Sequence, residues 1–551
     1  MPTSASPPIR HKPWLLVIIV LGAALRFVPI WFGLPFDRAR PDEETAIGHA
    51  VAVLGGDPNP HFFDWPSLTF YLFAAAFAVA SWIHRLLSLD PALTVNEQYL
   101  VARGVVALAG TLTILVLFAL TRSVAGETTA LVASFFLAVA TLHVRESHFA
   151  MTDVLMTLFV TVAPTLLARA LATPTDTRSG HAIGIASFLG AGFAGGLAAS
   201  TKYSGAAILA GLAAAQYVVV RDANRTPWKS RTWAPATAFI VAFACGFVAA
   251  TPFALIDYRS FSSGLVFDVT HLSTGHAGPD LGRGWSYHLR RSLPAALGLP
   301  VFIAAILGAI RVATMCERGA LITGAFCAAL YMLLAPGRTV FFRYILPIVP
   351  AACLFAALAV QHAADWLARR AHVPTRALVV PLALAVSIPA FVNSVWMDAL
   401  LAKTDTRVLA GRWLAGRVKP DDSLYDAGGA YAGASLVGLS VHRWNVETFD
   451  PTQNAFTNSS DRLPDWLVVP ESPLVYGSVP PGLRQLAAEK YELAQTIPAT
   501  WLQNDASVYD LQDAFFLPMS GFQTVIRPGP TIRIFRRLQP PQRSRHGTNR
   551  P

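Results

Sequence analysis

The stretch RARPDEETAIGHAVAVLGGDPNPHFFDW, Arg38–Trp65, holds three adjacent acids, Asp42, Glu43 and Glu44, then Asp57 and Asp64, with Asp37 just before it. An apolar run from Trp14 to Leu34 precedes it, and a second apolar run begins at Pro66. Charge beside lipid is costly and marks function more often than chance. A carboxylate cluster between two membrane-length runs therefore points to chemistry at one membrane face. The competing reading is an ordinary solvated loop, since loops are usually polar and exposed.

Composition supports the membrane reading. The chain has 551 residues, 54% of them hydrophobic and only 14% charged, with a mean hydropathy of +0.46; soluble domains carry about 25% charged residues. Lys and Arg exceed Asp and Glu by 43 to 33. These basic residues sit in short loops between apolar runs, as the positive-inside rule expects. A nucleic-acid partner would need a basic stripe interleaved with aromatics, so none is expected. Cys245, Cys316, Cys327 and Cys353 lie in or beside apolar runs and lack metal-ligand spacing, which excludes a disulfide framework or zinc site. No phosphate-binding loop or dinucleotide fingerprint is present, which disfavours a nucleotide-driven pump.

Apolar windows of membrane length fall near 14–34, 66–86, 100–121, 127–143, 150–172, 182–200, 203–220, 233–254, 294–313, 319–335, 341–361 and 376–397. The first could imitate a signal peptide, but no small-residue cleavage site follows it, so it reads as a first span with its N-terminus inside. Arg221, Arg225, Lys229 and Arg231, then Arg311 and Arg318, then His362, Arg369, Arg370, His372 and Arg376 mark inside loops. Counting back from them places 89–99 outside, while the basic N-terminus, Arg10 and Lys12, places 35–65 outside as well. One window between 66 and 99 therefore fails to cross. The run at 66–86, bounded by Trp65 and Trp82, is expected to dip into the outer leaflet or lie along it. The fold class is a polytopic α-helical membrane protein of about 11–13 transmembrane helices, in a module spanning 1–397. A small external α/β domain over 398–539 follows, opened by an amphipathic helix with Val408, Leu409, Trp413 and Leu414 on one face. Residues 540–551 are polar, basic and proline-containing, and are expected to be disordered.

With that topology the polar clusters share the external face. They are Asp42 and Glu43; Arg145 through His148, followed by Asp153; Lys202; loop 255–293 with His271 and His276; and Arg338, Arg343 and Tyr344. Each has a plainer reading. Asp153 could stabilise a helix N-terminus, Lys202 could snorkel, Arg343 could anchor in headgroups, and the histidines could be ordinary loop residues. Their convergence suits a reaction between an anionic lipid donor and a hydroxyl or amine acceptor. Cations would hold phosphate, with Arg able to bind it bidentately. A carboxylate would take the acceptor's proton, and a fixed cation would stabilise the leaving phosphate.

Pro41-Asp42-Glu43 after the first span, Arg145 to Asp153 opening a later one, Ser200-Thr201-Lys202, Phe342-Arg343-Tyr344-Ile345-Leu346-Pro347 and Asp405-Thr406-Arg407 together resemble the GT-C membrane glycosyltransferases. The nearest likeness is to the protein O-mannosyltransferase and lipid A aminoarabinose transferase group, over most of 14–400. That resemblance implies a polyprenyl-phosphate sugar donor, inversion at the anomeric carbon, Asp42 as catalytic carboxylate and Asp153 arranging the site, with Glu43 in support. From their shared face, Lys202, Arg145, His148, His271, His276, Arg338, Arg343 and Tyr344 are expected to bind the donor phosphate and sugar. No cofactor is required on this resemblance, although Asp42, Asp153 and the nearby histidines could hold a divalent cation. The site and C-terminal domain would face the outside of a bacterial inner membrane, with membrane lipid and an acceptor (protein, lipid or polysaccharide) as partners. Trp65 stands where aminoarabinose transferases carry a lysine before the proline, which leaves phosphate contact to Lys202, Arg338 or Arg343. The rival classes are a transporter or flippase of a lipid-linked sugar, which would place charge near the midplane in paired repeats, and a non-catalytic scaffold.

Overall fold

The structure, a computed structural model, describes residues 12–173, 178–222, 230–315, 318–437, 442–443, 449–453, 455–456, 463–502 and 506–538. The basic residues Arg225 and Lys229 and the tail 540–551 lie outside the described residues.

A helical bundle forms the body of the molecule. Among the described residues, eight helices are long and apolar enough to cross a membrane, or nine if a bent pair counts as one span. This number is below the 11–13 expected because Lys12–Phe27, Glu127–Ala138 and Gly319–Leu334 fall short of a full span and Gly284–Leu297 with Leu299–Met315 forms the bent pair. The window at 127–143 is divided into Glu127–Ala138 and Thr141–Glu146. The window at 341–361 still counts as one span, although it opens as a tighter Phe342–Ile348 turn before Val349–Ala371. Pro347 and Pro350 lack the N–H that a regular helix would use there, so Arg343 sits on irregular backbone at the end of the bundle. The long Arg178–Thr201 and Ser230–Ala250 helices pack closely. A Cβ at Gly192 or Gly196 would collide with the backbone of Phe239 or Phe243. Small residues at such contacts let membrane helices approach, in the absence of a hydrophobic force between them.

Leu68–Leu86 forms one 19-residue helix, which meets the length and composition of a span. Each of its ends is tied to other helices. Ser67 N–H donates to Thr251 Oγ1 at 3.3 Å, and that hydroxyl lies 2.5 Å from Ser200, two residues before Lys202. At the other end His84 Nε2 is 3.9 Å from Glu97. Two turns below Glu97, Arg103 reaches Glu43 and the carbonyls of Ile30 and Phe32. The sharp break in the bundle occurs elsewhere, between Gly284–Leu297 and Leu299–Met315, which meet at 116°.

The C-terminal region folds as a sheet with helices. Ser423–Asp426 pairs in parallel with His442–Arg443 and Trp466–Glu471, and Thr531–Arg537 lies antiparallel between Trp466–Glu471 and Tyr491–Ile497. The Thr406–Ala415 helix buries Val408 and Leu414, with Leu409 and Trp413 partly covered. Arg407 is clasped by Asp405 through two bonds of 2.8 and 2.6 Å at the junction with the bundle.

Candidate active site

A cavity of about 410 Å³ lies where the irregular ends of the helices meet the C-terminal region. Asp42, Asp64, Trp65, Asp153, Lys202, Asp268, His271, His276, Arg343, Tyr344 and Asp513 are among its lining residues. The Tyr258–Thr274 helix covers one side, resting so closely on the first loop that a Cβ at Gly264 would strike the Phe63 backbone.

Asp42 precedes the Glu43–Leu54 helix, yet its side chain makes no cap bond. Its backbone is left-handed, at φ 73° and ψ −15°, a conformation that costs a non-glycine residue about 1–2 kcal/mol. A cap bond would be worth about 1 kcal/mol more. The carboxylate turns instead to Arg343, 3.2 Å from its Nη2, and remains about one-third exposed. Such departures from local preference concentrate at functional positions.

Asp153 sits in the first turn of the Thr152–Ala172 helix, and its Oδ1 accepts from Lys202 Nζ at 2.7 Å. The buried Oδ2 has no hydrogen-bond partner. Lys202 also lies 4.3 Å from the centre of the Tyr344 ring. Asp42 and Asp153 are thus each held by one cation, in a wall that also carries Asp64, Asp268 and Asp513. His271 and His276 stack edge to face at 5.0 Å, and Tyr476 Oη lies 2.8 Å from His276 Nε2. Burial lowers both imidazoles, and the Arg343 charge adds to the effect. Burial raises Asp268, with Lys202 pulling the other way.

Four of the expected residues fall outside the wall. Glu43 is fully buried and accepts from Arg103 at 2.8 and 2.6 Å and from Ala150 N–H at 2.7 Å. That places it as a structural counter-ion, with no free oxygen for a proton. His148 is buried against the carbonyls of Val144 and Val28, at 2.9 and 3.2 Å, and does not reach the cavity. Arg145 lies behind the wall, 3.2 Å from Glu146 and 3.7 Å from Asp513. Arg338 is exposed and pairs with Asp280 at 3.4 Å. Glu43 and Arg338 are occupied by partners far along the chain, Arg103 and Asp280.

Several wall residues come from the C-terminal region, which the sequence reading treated as an appendage. Asp513 accepts from Arg40 at 2.7 Å and from Arg343 at 3.3 Å. Tyr431 donates to Glu44 at 3.0 Å, and Tyr476 reaches His276. A signal was available in Tyr509-Asp510-Leu511-Gln512-Asp513-Ala514-Phe515-Phe516, where two acids interrupt an apolar, aromatic run. Burial and repulsion from Asp513 raise Asp510, whereas Arg40, Arg343 and Arg145 outweigh burial and hold Asp513 low. Among the described residues, no group of three or more His, Cys, Asp or Glu side chains is arranged to hold a metal ion.

The resemblance read from the sequence is matched over part of the chain by a family model, and in fold by solved structures. Residues 85–221, about a quarter of the chain, match the family model for dolichyl-phosphate-mannose-protein mannosyltransferase. The structure is similar to apo ArnT from Cupriavidus metallidurans, with a TM-score of 0.53 and 14% identity over 95% of this chain and 98% of that one. ArnT bound to undecaprenyl phosphate gives a TM-score of 0.50 at 14% identity, over 95% and 97%. An Archaeoglobus fulgidus oligosaccharyltransferase in the apo form gives 0.50 at 15% identity over 75% of this chain, which spans only 59% of that protein. At these identities the likeness is one of fold. No curated protein matches the sequence.

Proposed function

We propose that the chain is an inverting glycosyltransferase, moving a sugar from a polyprenyl-phosphate donor to an acceptor hydroxyl or amine on the external face of the membrane. The observation that carries this reading is the convergence of Asp42, Asp153, Lys202 and Arg343 on one cavity at the end of the bundle. In the proposed step the acceptor oxygen or nitrogen attacks the anomeric carbon, and its proton passes to Asp42. The bond from that carbon to the phosphate oxygen breaks, and polyprenyl phosphate departs with the electron pair. Arg343 and Lys202 offset the charge that grows on the leaving oxygen. A single displacement with one carboxylate as base inverts the centre, by analogy with inverting glycosidases. Undecaprenyl phosphate in the structurally similar ArnT supports a lipid phosphate as ligand. The site shows charge gathered at one end of the bundle, which favours this reading over a transporter with charge at the midplane.

The test is transfer of radiolabelled sugar from synthetic polyprenyl-phosphate sugars by membranes carrying the protein. Labelled product that depends on the protein is expected. Binding of the donor without turnover, across mannose, arabinose and glucose donors and mixed acceptors, would count against an enzyme.

A further inference from the structure

The segment Tyr509–Phe516 belongs to the C-terminal region, yet its side chains are bonded into the bundle. Asp510 Oδ2 accepts from Phe342 N–H at 2.8 Å. Gln512 Oε1 accepts from Val340 N–H at 2.8 Å, and its amide donates to the Arg338 carbonyl at 3.1 Å. Asp513 holds Arg343 at 3.3 Å and Arg40 at 2.7 Å. Phe515 packs edge-on against Phe149 and Phe32, with the Arg145 guanidinium 4.9 Å from its ring centre. Backbone N–H groups outside helices and sheets need acceptors when buried. Here the acceptors for Val340 and Phe342 are side chains of one acidic turn, and those two amides flank Phe341, immediately before Arg343.

We infer that Asp510, Gln512 and Asp513 are positioning residues for Arg343, so that the C-terminal region completes the phosphate end of the membrane site. Arg343 is held at both ends of its fork, by Asp513 at Nη1 and by Asp42 at Nη2. A guanidinium fixed in this way meets an incoming phosphate without first losing its side-chain freedom. The ligand in this inference rests on the donor reading above; the clamp does not.

Two measurements on the full chain in lipid nanodiscs test it. The first is binding of undecaprenyl phosphate by the unaltered protein, Asp513→Asn, Arg343→Gln and the double variant. Removing a negative charge near an anion would by itself tighten binding. Positioning predicts the opposite sign: a loss of roughly tenfold in Asp513→Asn, and no further loss when Arg343 is already Gln. Equal losses in both backgrounds, or tighter binding, would overturn the inference. The second is hydrogen exchange at Val340 and Phe342 without ligand. Gln512→Ala and Asp510→Asn are expected to speed exchange there while the bundle core is unchanged, and unaltered exchange would overturn the clamp. If the unaltered protein does not bind undecaprenyl phosphate, the donor reading fails by itself, and exchange alone decides the clamp.

Discussion

The wall of the cavity and the layer of charge behind it use the same residue types in different ways. Behind the wall, Glu43 accepts three hydrogen bonds and Arg103 gives its fork to Glu43 and two carbonyls. Asp405 and Arg407 repeat the pattern at the bundle's junction with the sheet. In the wall, Asp42 has one cation and an exposed oxygen edge, and Asp153 leaves Oδ2 without a hydrogen-bond partner. Glu43 is matched on both oxygens, as an unmatched ion in low dielectric is expensive, although Arg40, Arg145 and Glu146 behind the wall keep buried atoms without a hydrogen-bond partner. Charge left with spare capacity, next to open volume, is charge available to a ligand. Asp42 and Glu43 are adjacent in sequence and lie on opposite sides of that division.

The sharpest way to break the contrast is to neutralise each of the two neighbours. Asp42→Asn should lower transfer from a polyprenyl-phosphate sugar by roughly 10²–10⁴-fold and leave the thermal midpoint unchanged, since Asn also tolerates the left-handed backbone. Full activity in that variant would end its assignment as base. Glu43→Ala should do the reverse. It strands buried Arg103 and is expected to cost about 3–5 kcal/mol of stability, read as loss of folded protein in detergent by size exclusion. Next in size is Lys202→Met, which removes a donor to phosphate; undecaprenyl phosphate affinity should fall by about 1.5–3 kcal/mol, measured in nanodiscs.

The smallest effect concerns pH. His271 and His276 have folded values below the ordinary imidazole value, through burial and then neighbouring charge. A depressed folded value means stability that is present above the unfolded value, about 6.5, and lost as pH falls through the folded one. The thermal midpoint should therefore decline on acidification below about pH 6.5, and His276→Asn should reduce the decline. An unchanged acid slope in that variant would remove His276 as its source.

Much of this arrangement was legible in the chain. Long apolar windows gave the bundle, because helices in lipid must satisfy their own backbone and read as continuous apolar runs. The imbalance of basic loops led to the expectation that one run between 66 and 99 fails to cross, whereas Leu68–Leu86 forms one apolar helix long enough to span. Asp42, Asp153, Lys202 and Arg343 were found as charges that lipid would not tolerate without a reason. Glu43 could not be separated from Asp42 by the same argument, since the partner that occupies it, Arg103, lies 60 positions away. Asp513 was harder still. Its bond to Arg40 spans 473 positions, and nothing periodic in either segment encodes such a meeting.

That last bond has a consequence for how the protein is made. Arg40 leaves the ribosome early, while Asp513 emerges only after every helix of the bundle has been synthesised. For most of translation Arg40 lacks its carboxylate and Val340 and Phe342 lack their acceptors. A nascent chain stopped short of residue 513 would therefore hold a complete bundle around an unfinished cavity until the final segment has been delivered.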